Sequence, residues 1–276
     1  MVKLTTPVAS PRLPFGISLK DKVVVLGSCL SDDLGQKFAD AGFSVMTNPF
    51  GTLYNPLSVE NAIGRMDSGR PFGQEDCVEM GAGAGLVCSF EHYTKFARPS
   101  ADEFLAGANA SLAEAVDFWR EASAVVVILY SAWVWERGGR VVANCLKRPA
   151  SEFTRRLLSV EEVRGAVERM STKHPGKRFL WMVCPIRQGG EPRENTLGKS
   201  TLHLGLEGAP YFPAFEIVHD ELRDYRFFAD DLVHPSPAAL QILWERLLDS
   251  AALPEEREQI AGIERRSKTL KHRPIR

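Results

Sequence analysis

The sequence lacks most of the features that announce a specialised class of protein. Its five cysteines, Cys29, Cys77, Cys88, Cys145 and Cys184, are odd in number and widely spaced, with no C-x-x-C pair. That argues against a disulfide framework or a structural zinc site and for reduced thiols in a cytoplasmic compartment. No apolar run approaches the length of a membrane-spanning helix. Residues 1–14 hold one Lys and several Pro but no continuous apolar stretch, so no signal peptide is expected. Excess charge of one sign is also missing: 34 basic residues face 35 acidic ones, a formal net charge of −1. Neither nucleic acid nor an anionic membrane is an expected partner on that balance. No His/Asp/Glu group has metal-ligand spacing, so no metal is expected. The run Gly81-Ala82-Gly83-Ala84-Gly85 lacks the Lys-Ser/Thr of a phosphate loop.

What is present is an ordinary globular composition, 276 residues with 44% hydrophobic and 25% charged. One α/β domain with insertions fits that length. Apolar runs at 23–26, 124–130 and 178–184 read as strands buried on both faces, with a shorter strand at 43–46. Helical patterns follow at 31–42 (Ser31 as cap), from Ser58 to about Met66, at 102–121, from Ser159 to before Pro175, at 196–206, and from Ser236 to about Leu248. Residues 212–218 read as extended. Strands alternating with helices predict a three-layer αβα sandwich around a parallel sheet. The domain spans 21–250, after an N-terminal extension 1–20; segments 69–99 and 132–146 read as insertions, the second a hairpin. Residues 251–276 form a basic C-terminal tail, of which 264–276 reads as frayed or disordered.

Two short blocks carry the chemistry. Val23-Val24-Val25-Leu26-Gly27-Ser28-Cys29-Leu30-Ser31-Asp32 runs a buried strand into a turn that presents Ser28 and Cys29. About two hundred residues later, Asp231-Leu232-Val233-His234-Pro235 sets an acid three residues before an imidazole. Nucleophile, base and base-orienting acid are the parts of an acyl-transfer site. A thiol at a helix start, next to an imidazole, is expected to have a lowered pKa. The two side chains at 28 and 29 should point opposite ways, so only one can face His234. The backbone N–H groups of Cys29 and Gly51 are candidate oxyanion donors. His92, His174, His203, His219 and His272 sit in no comparable motif and read as surface or rim residues. Glu221, Arg223, Asp224 and Arg226 read as a structural ion-pair cluster. Trp133 and Trp135 alternate as hairpin packing requires.

The segment Leu26-Gly27-Ser28-Cys29-Leu30-Ser31-Asp32-Asp33 resembles the first block of the SGNH (GDSL-like) hydrolases, with Cys29 where those enzymes carry their nucleophilic Ser. Asp231 and His234 resemble their last block. More closely, the chain resembles the GSCFA family through Gly27-Ser28-Cys29, Asn48-Pro49-Phe50-Gly51-Thr52-Leu53-Tyr54-Asn55-Pro56, Ala143-Asn144-Cys145, Tyr211-Phe212-Pro213-Ala214-Phe215-Glu216 and 220–228. The resemblance implies an SGNH-like fold and a catalytic set of Cys29, His234 and Asp231, with Ser28 the rival nucleophile. It also supports Gly51 as oxyanion donor, with Asn144 the nearest amide to serve as a third and Asn55 as a substrate-side group. The implied activity is acyl-ester hydrolysis or O-acyl transfer through an acyl-thioenzyme, on a glycan or similar small ester. No cofactor is required, and acetyl-CoA or another acyl thioester is an admissible donor. A non-catalytic carbohydrate- or protein-binding role is the alternative.

Overall fold

The computed structural model describes residues 5–187 and 191–271. Four strands, β1 (Lys22–Gly27), β2 (Ser44–Thr47), β5 (Ala124–Leu129) and β9 (Arg178–Val183), form one sheet in the order β2-β1-β5-β9, every pairing parallel. Because side chains alternate across a strand, β1 splits its apolar run between two cores. Val23 and Val25 pack with Leu30, Leu34 and Phe38 of α1 (Cys29–Asp40) and Leu243 and Trp244 of α7 (Pro237–Ala251). Val24 and Leu26 pack with Val59 and Ile63 of α2 (Pro56–Ser68), Phe104 and Leu112 of α3 (Ala101–Glu121), and Val163 of α4 (Val160–Lys173). Helices thus cover both faces, and the architecture is the expected three-layer αβα sandwich.

The two insertions take defined forms. Residues 69–99 contain a short antiparallel pair, β3 (Val78–Glu79) and β4 (Val87–Cys88), and contribute Phe72, Met80 and Cys88 to the core under α3. The expected hairpin, β6 (Trp133–Arg137) and β7 (Arg140–Val142), gains a third strand, β8 (Thr154–Leu157), on the free edge of β6. Trp133 is packing material: its indole N–H donates to the Glu194 carbonyl at 2.9 Å, and the Arg155 guanidinium covers its ring at 4.4 Å.

Several local expectations are corrected. Helix α1 starts at Cys29 with Ser28 at its N-cap, so Ser31 is a buried helical residue rather than the cap. Helix α2 starts at Pro56, because Asn55 caps it and proline suits the first helical position. Residues 212–218 are not extended. Only Tyr211 bridges to Trp181 of β9; the chain then turns through α6 (Ala214–Glu216) and a π-turn, Ile217–Glu221. Its apolar run is buried from a helical backbone, which periodicity over so short a stretch does not reveal.

The basic tail is helical over its described part. Helix α5 (Pro192–Gly205) is followed, beyond α7, by α8 (Arg257–Lys271), which docks through buried Ile260 and through Trp244, whose indole N–H donates to Glu264 at 2.6 Å. Val8, Leu13 and Ile17 of the N-terminal extension pack into the same layer.

Candidate active site

The carboxyl ends of the parallel strands share one edge of the sheet, where sites collect in open α/β folds. β1 leaves it through Gly27, at φ +128°. A Cβ there would lie 2.2 Å from the Ile128 carbonyl oxygen, so the turn requires glycine. Ser28 then opens α1, its N–H donating to Ile128 O at 3.1 Å. Its hydroxyl is fully buried against the Cys184 thiol, a weak partner, and makes no other hydrogen bond among the described residues. Cys29 faces the other way and is half-buried.

His234 meets it across 205 residues of sequence, with Nε2 3.6 Å from Cys29 Sγ. His234 Nδ1 lies 2.6 Å from Asp231 Oδ2. Asp231 Oδ1 accepts the N–H groups of Val233 and His234, each at 2.9 Å. Those two N–H groups, followed by the imidazole, hold the Asp231 carboxyl down at about 2. The turn puts Leu232 at φ +56°, and it is pinned by Ala229 N–H donating to His234 O at 2.8 Å and Ser236 N–H donating to Phe227 O at 2.8 Å. Ser236 in turn caps α7, accepting from Ala239 N–H. Since α7 packs on α1 through Phe38 and Trp244, ring centroids 4.9 Å apart, the helix that carries the thiol is fixed against the helix that follows the imidazole. The Lys37 ammonium donates to Gln241 at 2.6 Å across the same seam.

The electrostatics of the thiol differ from expectation. Burial pushes Cys29 up to about 11, with the Cys184 thiol and Asp33 acting the same way. The N–H groups of Leu30 and Cys29 favour the thiolate but are outweighed. The resting group is a neutral thiol beside an imidazole base. Those two N–H groups sit in the first turn of α1, where helical N–H groups have no intrahelical acceptor.

Of the oxyanion candidates, Cys29 N–H stays in place and the others are redirected. Gly51 N–H is already used, donating to Asn48 O at 2.8 Å. Gly51 is glycine for a different reason: at φ +86° a Cβ would lie 2.3 Å from Tyr93 Cβ. Asn55 is buried, its Oδ1 accepting from Ser58 N–H at 2.9 Å and its Nδ2 donating to Ser58 Oγ at 3.0 Å, so its amide serves the start of α2. Asn144 accepts from Leu146 N–H at 2.7 Å and shapes the turn after β7.

Other residues are drawn in. Asn48, buried at φ +42°, accepts from Gly27 N–H and donates to Asp32, both at 2.9 Å, and so ties the nucleophile turn to the loop after β2. The Tyr54 and Tyr130 rings pack 5.3 Å apart, and burial pushes the Tyr54 phenol up, with Cys29 among the lesser contributors. Lys199 of α5 is buried with its ammonium on the carbonyls of Tyr130 and Cys184. It carried no sequence signal, because an isolated Lys within a helical pattern reads as solvated.

A cleft of about 610 Å³ borders Asp231 and Leu232, walled by Arg187, His219, Tyr225 and Phe228. His219 is half-buried in that wall, donating to Pro185 O at 2.6 Å. His92 is neither surface nor rim: it is fully buried, Nδ1 2.7 Å from Ser89 Oγ, inside a ring of phenylalanines. His272 lies outside the described residues. The expected ion pairs around 220–226 are present, Arg223 with Asp220 at 3.4 Å, Arg226 with Asp224 at 3.6 Å, and Glu221 with Arg246 at 2.6 Å.

The fold and these side chains define an α/β sandwich protein with a Cys-His-Asp constellation at the carboxyl edge of its parallel sheet. The GSCFA family model matches residues 22–247, and the chain belongs to the GSCFA family. No curated protein matches it.

Proposed function

We propose that the protein is an SGNH-like acyl-ester hydrolase or O-acyltransferase working through an acyl-thioenzyme at Cys29. The observation that carries this reading is the pair of contacts made by His234, Nε2 to Cys29 Sγ at 3.6 Å and Nδ1 to Asp231 Oδ2 at 2.6 Å. Because the resting thiol is neutral, the proton leaves as the bond forms. Sγ attacks the acyl carbonyl carbon, His234 Nε2 takes the thiol proton, and Asp231 stabilises the imidazolium from Nδ1. The carbonyl oxygen becomes an oxyanion opposite the N–H groups of Cys29 and Leu30. Collapse forms the thioester and expels the alcohol, which takes the proton back from His234. Water or a second hydroxyl then attacks the thioester with His234 again as base, releasing acid or new ester and restoring the thiol.

No step needs a cofactor, and an acyl thioester such as acetyl-CoA can replace the ester as donor. A small acylated molecule, such as an acylated carbohydrate, is the substrate class that the resemblance to SGNH-like hydrolases implies. Five unpaired thiols support a cytoplasmic setting. The elevated Cys29 thiol also favours a second reading, a binding protein of the same fold that performs no chemistry. Intact mass after brief exposure to an activated acetyl ester or acetyl-CoA separates the two. A single acetyl adduct on the wild type, absent from Cys29→Ala and retained in Ser28→Ala, is the expected result. No adduct on the wild type over hours would sink the catalytic reading.

A further inference from the structure

Helix α1 carries its own acid beside the thiol. Asp33 stands four residues after Cys29, a spacing that sets two side chains on one face of a helix with about 5–6 Å between their Cβ atoms. That face turns toward the His234 loop and α7, since Cys29 Sγ reaches His234 and Lys37, four residues beyond Asp33, reaches Gln241. Asp33 has none of the usual structural tasks there. It lies beyond the first turn of α1, where Asp32 already serves the helix N-terminus. Lys37, its neighbour one turn on, gives its ammonium to Gln241 instead. The Asp33 carboxylate holds no hydrogen bond and no ion pair among the described residues, and it reaches solvent. Partial burial and then Asp32 push its carboxyl up, against the pull of His234 and Lys37, so an anion is kept here at a cost. Asp33 in turn adds to the upward push on the Cys29 thiol. The other charged side chains around the thiol and imidazole are Asp32, which takes the Asn48 amide, Asp231 behind the imidazole, and Arg187 on the wall of the cleft that borders Asp231.

An anion one turn from a thiol opposes both a thiolate and an oxyanion, so it does not assist the bond-forming step. What it acts on is the charge of the incoming molecule. We propose that Asp33 is a specificity-determining residue, which admits uncharged or cationic acyl donors to Cys29 and disfavours anionic ones. The inference rests on the acyl-transfer reading for its substrate, but not for its test. Of the donors open to that reading, it selects a neutral acyl ester, or one bearing an amine, over an acyl thioester of coenzyme A, which brings several phosphate charges to the same mouth.

The test labels Cys29 in the full-length protein with two methanethiosulfonates of one chemistry and opposite charge, the trimethylammonioethyl cation and the sulfonatoethyl anion. Each forms a mixed disulfide at the thiol and releases methanesulfinate, and peptide mass reads the rate at Cys29 alone. The cation-to-anion rate ratio is divided by the same ratio for free mercaptoethanol. A unit charge about 7 Å away changes the local concentration of a monovalent ion about threefold in water, so the ratio should fall about five- to tenfold in Asp33→Asn at about 10 mM salt. Asp33→Glu, which keeps the charge, should keep the wild-type ratio. At about 1 M salt the wild type and Asp33→Asn should agree within about twofold, because screening then acts over about 3 Å. Cys145, whose ionisation only burial shifts, is the internal control and should show one ratio in all three proteins. An unchanged ratio at Cys29 in Asp33→Asn overturns the proposal, as does a change of equal size at Cys145. Labelling of Cys29 by neither reagent overturns it too, since no charged molecule then reaches the thiol for Asp33 to select. No acyl substrate enters the readout, so a failure here and a missing acetyl adduct are separate results.

Discussion

A thiol pushed up to about 11 is ionised in about one molecule in ten thousand at pH 7. A free thiol near 8.5 is about 3% ionised at that pH, so Cys29 should react with a thiolate-seeking reagent about 300-fold more slowly than a free thiol. Acylation should behave differently, since His234 is 3.6 Å from the sulfur and removes the proton during attack. The assay sets two rates on one protein side by side: iodoacetamide labelling of Cys29 by peptide mass, with glutathione as the free-thiol standard, and acetyl-adduct formation from an activated ester. His234→Ala should leave the first rate within about twofold and lower the second by about 10²–10⁴-fold, the usual range for a general base. Iodoacetamide labelling of wild-type Cys29 at pH 7 as fast as glutathione would refute the reasoning. It would mean that the site holds a preformed thiolate–imidazolium pair and that burial does not govern the thiol.

Asp231→Asn should lower kcat by about 10²–10⁴-fold with little change in KM, because the imidazole loses the anion that orients and charges it while substrate contacts persist; steady-state kinetics on any ester that yields an adduct checks this. Since Asp231 is held at about 2, it stays ionised until strongly acid pH, and stability drawn from its turn is lost only as pH falls toward that value, readable as a melting-temperature difference between wild type and Asp231→Asn that stays constant from pH 7 to about 5. Asn48→Ala strands the buried Gly27 N–H and should destabilise the fold by about 1–3 kcal/mol in urea titration, with adduct formation falling further than stability alone explains. Gly27→Ala places a methyl 2.2 Å from the Ile128 carbonyl oxygen at a φ of +128°, so it should yield little soluble protein. Soluble, active Gly27→Ala would contradict that turn geometry.

The sheet was legible because β1, β5 and β9 are buried on both faces and therefore read as continuous apolar runs. The meeting of Cys29, His234 and Asp231 was legible because each block holds its own local logic: a strand ending in a glycine turn, and an Asp that caps the turn leading to its own His. What the sequence hid depends on tertiary partners. Strand β8 reads Thr-Arg-Arg-Leu, with no apolar alternation, since Arg155 and Arg156 pair with Glu194, Glu136 and Glu162 at 2.7–2.8 Å. Helix α8 looks like a solvated basic tail, and only its docking on Trp244 explains its order. Gly51 was assigned to the oxyanion because its loop position is right; that its N–H is already bound to Asn48 O is a property of the folded turn. His92 was misread, and Lys199 went unremarked, because burial of a polar side chain leaves no mark on the sequence around it.

These corrections bear on how the Cys29 thiol would act in the proposed chemistry. If Cys29 were an ionised nucleophile, the site would need its positive charge on the imidazole at rest, and Asp231 would be answering an existing imidazolium. With burial holding the thiol neutral, Asp231 in the proposed mechanism answers a charge that appears only during attack. In the proposed chemistry the charges on the imidazole and the carbonyl oxygen appear on attack and are removed on collapse. Such a site gains nothing from a low thiol pKa and depends on how well its surroundings meet transient charge. The two N–H groups of α1 meet it at the carbonyl oxygen, and Asp231 meets it at the imidazole.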